Sequence, residues 1–279
     1  MKNKGLTKVD LIFETIDVRK VMTKAFEMTS DEIINEILDS GLKGRGGAGF
    51  PTGLKWKYTA AEQEPEKYIV CNADEGEPGT FKDREILDKA ASKVYAGMAI
   101  AGKAMGSKKG FIYLRGEYRF LLPQLFVELH KFHKMIHEIG YDFTIEYRMG
   151  SGAYICGEES ALFESIEGFR GEPRNKPPYP TVSGLFSKPT SINNVETLVT
   201  AVMIIEKGAN EYVKLGTKDS RGSKVFSISG DTPIPGIFEL ELGMTVQEFV
   251  NEFGDGDTKA VQVGGASGFC VPRKRFGDT

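Results

Sequence analysis

Four short stretches of this chain carry residue types suited to holding a flat, charged ligand. The first is Gly44-Arg45-Gly46-Gly47-Ala48-Gly49-Phe50-Pro51-Thr52-Gly53-Leu54-Lys55-Trp56, with five glycines in ten residues. Glycine has no Cβ, so the backbone can turn sharply and let a ligand come close. Exposed N–H groups beside cations such as Arg45 and Lys55 suit phosphate. The second, Asn72-Ala73-Asp74-Glu75-Gly76-Glu77-Pro78-Gly79-Thr80, packs three carboxylates into four residues. The third runs from Gly150 and carries Tyr154, Gly157, Glu158 and Glu159 where a turn opens into a helix. The fourth, Ser191-Ile192-Asn193-Asn194-Val195-Glu196-Thr197, offers an asparagine cap ahead of an apolar helix, an end able to hold an anion.

Taken singly, each stretch is an ordinary turn, acidic first helical turn or cap. Together they answer one demand. A flavin has a phosphate, a polyol and a flat ring edge of donors and acceptors. A nicotinamide dinucleotide adds two phosphates, two diols and two rings to stack. Carboxylates suit ribose hydroxyls, asparagines suit the polyol and ring edge, and the aromatics Phe50, Tyr58, Tyr154 and Tyr179 suit adenine. No Cys, His or Ser–base pair stands out as a nucleophile, so a cofactor would carry the chemistry.

These loops need elements to position them. The spacing Gly44-x-Gly46-x-x-Gly49 matches the dinucleotide fingerprint, which requires a strand before it and a helix after it. The element before it is instead a helix over 31–40, capped by Thr29 or Ser30 with Glu32 as capping-box partner and stopped at Gly41. The first convincing strand, 68–72, comes later and runs into the acidic loop. Helical pattern follows over 83–105, a strand over 110–115, a helix over 120–139 and a strand over 143–147. The third stretch opens a helix to about Ile166. A long proline-bearing loop over 168–189 follows, then an apolar helix over 195–205. Strand–helix alternation of this kind indicates an α/β fold with a mostly parallel sheet. Ligands of such sheets sit at the carboxyl ends of the strands. Residues 209–223 read as a polar linker. Strands over 224–229, 237–241 and 260–263, with a helix over 246–253, suggest a small β-grasp module.

Composition narrows the classes. The 279 residues are 40% hydrophobic and 27% charged, enough for a packed core. A net charge of −3 argues against a general nucleic-acid binder. No apolar run is long enough to insert in a membrane, and Met1–Gly5 lacks an apolar signal core, so a cytoplasmic setting is expected. Cys71, Cys156 and Cys270 are far apart and give no metal spacing, and the three histidines all lie between 130 and 137.

Several segments together resemble a known family. These are 41–56, 71–83 (CNADEGEPGTFKD), Arg115-Gly116-Glu117-Tyr118, 150–161 (GSGAYICGEESA), Lys176-Pro177-Pro178-Tyr179-Pro180 and 188–197 (KPTSINNVET). They resemble the NADH-oxidising flavin subunit of respiratory complex I and the diaphorase subunits of NAD-linked hydrogenases and formate dehydrogenases. The resemblance implies a Rossmann-like flavin domain over 41–208 behind a helical lead-in over 1–40. A linker over 209–223 and a β-grasp (ubiquitin-like) module over 224–279, whole or cut short, would follow. It implies FMN held by Gly44, Arg45, Gly46, Gly47, Lys55, Asn72, Asp74, Glu75, Gly157, Glu158, Ile192, Asn193, Asn194 and Thr197. It implies NADH bound over the flavin by Phe50, Tyr58, Glu77, Tyr154, Glu159, Lys176 and Tyr179, with Glu75 and Glu77 closest to the chemistry. Glu75 beside an electron-rich reduced flavin would have a raised pKa through like-charge repulsion.

The implied reaction passes a hydride from NADH to FMN and then single electrons to iron–sulfur clusters. In the family those clusters belong partly to partner subunits, among them a thioredoxin-like two-iron protein, in a complex peripheral to the inner face of the membrane. An electron-bifurcating or ferredoxin-linked flavin subunit is the alternative, as is a non-catalytic assembly module. The family's four-cysteine helical bundle is missing from this sequence, where Cys270 stands alone. The chain as given therefore offers no ligands for that cluster or for another metal.

Overall fold

The computed structural model describes residues 5–277; Met1–Lys4, part of the stretch read for an export signal, and residues 278–279 lie outside the described residues. Helix α1 (Val18–Glu27) starts where the Asp17 carboxylate accepts the Lys20 amide, in a region whose sequence shows no firm period. Helix α2 (Ser30–Ser40) has the expected Thr29–Glu32 capping box and ends at Gly41, which adopts φ 67°. Left-handed backbone of this kind is open to glycine at little cost. The glycine loop then leads into α3 (Thr52–Ala61). Sequence pattern does not announce α3, because it contains Gly53 and has no strong amphipathic stripe. What secures it is burial of Trp56 and Thr59.

Next come β1 (Tyr68–Ala73), α4 (Lys82–Met105), β2 (Lys109–Leu114), α5 (Leu122–Ile139), β3 (Thr144–Met149), α6 (Glu159–Ile166), β4 (Thr190–Asn194) and α7 (Val195–Lys207). Helix α4 is broken at Ala90, whose φ of −141° is non-helical. Strand β4 corrects the expectation that 191–197 is only a loop and cap. Its two asparagines disfavour a strand on propensity alone, and parallel pairing with β1 overrides that.

The four strands form one parallel sheet in the order β3-β2-β1-β4. Side chains alternate across it. Ile69, Cys71 and Ala73 join Val94, Met98, Leu198 and Val202 in the main core under α4 and α7. Tyr68 and Val70 join Leu162, Phe163 and Leu185 on the other face. The chain steps from β1 to β2 to β3 in one direction and then returns to the far side of β1. The point where strand order reverses therefore lies between β1 and β4.

Residues 209–223, expected as a linker, hold the short helix α8 (Ala209–Tyr212), and Tyr212 is buried. Their polar composition reads as a tether. In the fold their backbone carbonyls receive Lys43 at Asp219 and Arg45 at Arg221. The C-terminal segment follows as β5 (Ser223–Ile228), β6 (Gly236–Glu241), α9 (Val246–Phe253), β7 (Ala260–Val263) and β8 (Phe269–Pro272). Its strands pair as two antiparallel ladders, β5-β6 and β7-β8. The N-terminal lead-in is not helical throughout: the Val9 amide donates to the Glu239 carbonyl, and the Glu241 amide to that of Thr7, so residues 7–9 lie along β6.

Candidate functional site

All four chemistry-bearing stretches meet the carboxyl edge of the parallel sheet. The acidic loop leaves β1, the Gly150 loop leaves β3, and α7 starts directly from β4. Asn72 and Asn194 are register partners on adjacent strands at the reversal point.

The glycine loop closes on itself through Gly44 N–H to Phe50 O (2.9 Å) and Thr52 N–H to Leu42 O (2.9 Å). It is pinned to the first turn of α7 by the Arg45 amide, which donates to Thr197 Oγ1 at 2.9 Å. A Cβ on Gly46 would lie 3.2 Å from Asn194 Cβ, a tight contact that a side chain there would make only if Asn194 gave way by a few tenths of an ångström. Gly47 and Gly49 adopt φ of 117° and 65°, with nothing near their missing Cβ atoms. This part of the loop is thus an open cradle of backbone. Arg45 is only 8% exposed. One guanidinium nitrogen donates to Tyr212 OH (3.0 Å) and to Arg221 O (3.1 Å), while its buried Nε has no partner. Lys55 Nζ donates to Ile192 O at 2.9 Å. Burial pulls its pKa down, with Glu159 opposing and Lys176 reinforcing. Trp56 Nε1 donates to Asn193 Oδ1 at 3.2 Å, fixing a side chain only 4% exposed.

In the acidic loop, Asn72 bridges two stretches: its amide donates to Gly157 O at 2.9 Å while its oxygen accepts the Asp74 amide at 3.0 Å. Asp74 Oδ2 is buried without a partner. Burial pushes the Asp74 pKa up to about 6, against Arg115 and with Glu117. Glu75 corrects an expectation. It is 5% exposed, and its oxygens accept the amides of Asp83 (2.9 Å) and Arg84 (3.2 Å) and the hydroxyl of Tyr118 (2.9 Å). The side chain caps α4 from a distance and has no open face for a reaction. Its pKa is raised, but by burial first and by Asp83 next, both inside the protein. Glu77 is accessible. It accepts from Tyr154 OH and from the amide of Ser267 (3.3 Å), and the Tyr154 bond leads in lowering its pKa.

Glu158 is the N-cap of α6, accepting the amides of Ser160 and Ala161 at 2.9 Å each. Lys176 Nζ reaches Glu158 (3.0 Å) and Glu159 (2.5 Å). Burial lowers the Lys176 pKa, but these two carboxylates outweigh it and the net shift is upward. Phe50, Tyr58, Tyr154 and Tyr179 are all exposed, the last two at 60%. No ring contact joins these four among the described residues.

Sequence reasoning missed a buried ionic cluster behind the asparagines. Lys82 Nζ lies 2.7 Å from Asp83 and 2.9 Å from Glu196. Asn194 accepts from Lys82 (3.1 Å) and from the Glu196 amide (3.0 Å), and donates to Asp83 (2.6 Å). Burial alone would lower the Lys82 pKa; Asp83 and Glu196 reverse that and hold it charged. One signal was available: Glu196 is a charge inside an otherwise apolar helix. A separate cavity of about 390 Å3 lies in the C-terminal segment, lined by Gln247, Val250, Asn251, Arg273 and Phe276 among others, and no candidate residue lines it. Among the described residues no cluster of His, Cys, Asp and Glu could hold a metal ion.

A parallel sheet with glycine, asparagine and carboxylate loops at its switch point defines an α/β protein of the nucleotide-binding architectural type. The family model described as the Nuo51 FMN-binding domain matches residues 37–203, and the chain belongs to that family. It is 46% identical over 269 residues to the alpha subunit of the NAD-reducing hydrogenase HoxS of Cupriavidus necator, covering 94% of this chain and 45% of that protein. It is 44% identical over 243 residues to a subunit of the NADH-quinone oxidoreductase of Aquifex aeolicus, covering 85% and 57%. The HndC subunit of the NADP-reducing hydrogenase of Solidesulfovibrio fructosivorans is 40% identical over 286 residues, covering 98% and 58%. Among solved structures, an NAD+-reducing nickel–iron hydrogenase in the H2-reduced state superposes with a TM-score of 0.89 at 43% identity, covering 94% of this chain and 45% of that one. The chain thus spans about half the length of the relatives it matches.

Proposed function

We propose that this chain is an FMN-dependent NADH dehydrogenase (diaphorase) module within a larger electron-transfer complex. The observation that carries the reading is the meeting of four ligand-type loops at the β1/β4 switch point. The residues fit the cofactor: an open glycine cradle, an unpartnered buried Arg45 Nε and an unpartnered Asp74 Oδ2 all lie on these loops. FMN, when bound, supplies the conversion of a hydride donor's two electrons into single-electron steps.

The chain's own part is binding and orientation. Gly44, Gly46, Gly47 and the amino end of α7 with Thr197 offer backbone and dipole to a phosphate. Asn72, Asn193, Asn194, Lys55 and the Ile192 and Gly157 backbone form a pre-set wall, each already held by a neighbour. Glu77, Tyr154, Glu159, Lys176, Phe50, Tyr58 and Tyr179 form the accessible side, suited to a dinucleotide that arrives and leaves. Glu77 is the carboxylate placed for ribose hydroxyls. Electrons would leave to iron–sulfur partner subunits, a thioredoxin-like two-iron protein among them, at a cytoplasmic site peripheral to the membrane. No described helix is long and apolar enough to cross one. We read the C-terminal segment as a β-grasp unit.

Incubation with FMN tests the reading. A flavin absorption spectrum that survives desalting and is bleached by NADH is expected; a colourless protein overturns it. HndC, the relative named as NADP-reducing, favours one variant, NADPH in place of NADH. Bleaching rates with the two nucleotides decide it.

A further inference from the structure

The turn of the C-terminal hairpin rests on the accessible side of the candidate site. Strands β7 and β8 form a ladder of their own, and the turn between them is Gly264-Gly265-Ala266-Ser267-Gly268. Gly264 and Gly265 adopt φ of 81° and 73°, left-handed values that glycine accepts at little cost. The Ser267 amide donates to Glu77 Oε1 at 3.3 Å, and the Ser267 hydroxyl lies 3.4 Å from Oε1 and 3.3 Å from Oε2. That hydroxyl is also 3.5 Å from Tyr154 OH, which itself donates to Glu77 Oε2. A Cβ on Gly265 would run into the Glu77 carboxylate, so the turn sits directly on that side chain. Tyr154 leads in lowering the Glu77 pKa, and the Ser267 and Ala266 amides act in the same direction.

An ionised carboxylate has about four lone-pair sites. Tyr154 OH, the Ser267 amide, the Ser267 hydroxyl and the Ala266 amide are already donors to Glu77. The carboxylate is therefore fully engaged within the chain. A ribose diol brings two further hydroxyl donors, so Glu77 can hold it only if donors leave. The turn is the side that yields. Its bonds are 3.3 Å or longer, at the weak end of the ordinary range. Ser267 is exposed, and the turn is carried by two strands of four residues each.

We propose that the β7–β8 turn is a latch on the dinucleotide side: it occupies Glu77 in the absence of dinucleotide and is displaced when a ribose diol takes the carboxylate. This rests on the reading above of Glu77 as the carboxylate for ribose hydroxyls. Turn and dinucleotide compete for one side chain, so apparent affinity falls in proportion to the fraction of molecules with the latch open. Long, exposed hydrogen bonds make a modest latch, one that tunes affinity severalfold and does not shut the site. The C-terminal segment, which lies beyond the matched family region ending at 203, thereby governs access to the dinucleotide side.

The test measures KM and kcat for NADH on the FMN-loaded chain, with ferricyanide as electron acceptor. Ser267→Ala removes one donor of the latch at an exposed position. It is expected to lower KM for NADH by roughly two- to fivefold, with kcat unchanged. Ser267→Thr keeps the hydroxyl and is expected to restore the wild-type KM. In a Glu77→Ala background, where the latch has nothing to hold, Ser267→Ala is expected to leave KM as it finds it. An unchanged KM in Ser267→Ala overturns the latch, and a raised one makes the turn a wall of the site instead. A change of the same size in the Glu77→Ala background also overturns it. Wild-type protein that takes up FMN but oxidises no NADH overturns the functional reading and the latch with it, whereas an active wild type beside an indifferent Ser267→Ala overturns the latch alone.

Discussion

The two walls of the candidate site are built on different physical terms. The inner wall, from Arg45, Glu75, Asn193 and Thr197 with the half-buried Asn194, is largely buried, and most of its polar atoms have an internal partner, Arg45 Nε excepted. The outer wall, from Phe50, Tyr58, Tyr154 and Tyr179, is exposed, though the Tyr154 ring lies against Gly76. Internal hydrogen bonds in a low-dielectric interior fix positions firmly and penalise any loss. Exposed rings keep contact area available at little ordering cost. The difference suits a resident ligand on one side and an exchanging one on the other, and it separates the effects of mutations.

Lys82→Met strikes the inner wall hardest. It leaves Asp83 and Glu196 buried without their cation, and breaking a buried pair from one side costs about 3–5 kcal/mol. Urea unfolding of the flavin-free protein is expected to show a loss of this order; a loss below about 1 kcal/mol would mean that the cluster is hydrated. Glu75→Gln comes next. It removes the charge that accepts two α4 amides and Tyr118, for about 1–3 kcal/mol. Since the carboxylate has no open face, NADH-driven bleaching of bound flavin is expected to keep its pH profile in this variant. A shift of that profile would return Glu75 to the chemistry.

Asp74 gives a smaller effect with a defined sign. Its folded pKa of about 6 lies above the ordinary 3.8, so the folded state binds more protons than the unfolded one between those values. Stability then falls as pH rises through this window. The penalty is absent below the lower value and complete above the upper one. Wild type is expected to lose stability relative to Asp74→Asn as the pH rises across that window. Parallel curves for the two proteins contradict the raised pKa. The smallest effect belongs to the outer wall. Glu77→Gln is expected to weaken NADH about fivefold, as one hydrogen bond of roughly 1 kcal/mol allows, while FMN retention is unchanged. Equal loss of both would erase the distinction between the walls.

Local rules made much of this legible. The Thr29–Glu32 capping box and the Thr245 cap are both present, at the helices they announced. The β1, β2 and β3 runs were visible as short apolar stretches between turn residues. The glycine loop was correctly set apart from the ordinary dinucleotide fingerprint, since α2 rather than a strand precedes it. The misses share a cause. Strand β4 contains two asparagines and is made by its partner β1. Helix α3 is made by burial of Trp56. Residues 209–223 look like a tether and are packed by Arg45 and Lys43 reaching across from the glycine loop.

The sequence alone, then, determined which residue types stand at the turns and that the chain would fold as an α/β sheet, because glycine turns, caps and apolar periods act over a few residues. It could not say which of its charges would serve structure and which would face a ligand. Arg45 meets Tyr212, Lys55 meets Ile192, Lys82 meets Glu196, and Glu75 caps a helix eight residues on. Only the tertiary structure decides such pairings, because a charge takes its role from burial and partners, and most of these partners lie more than a hundred residues away.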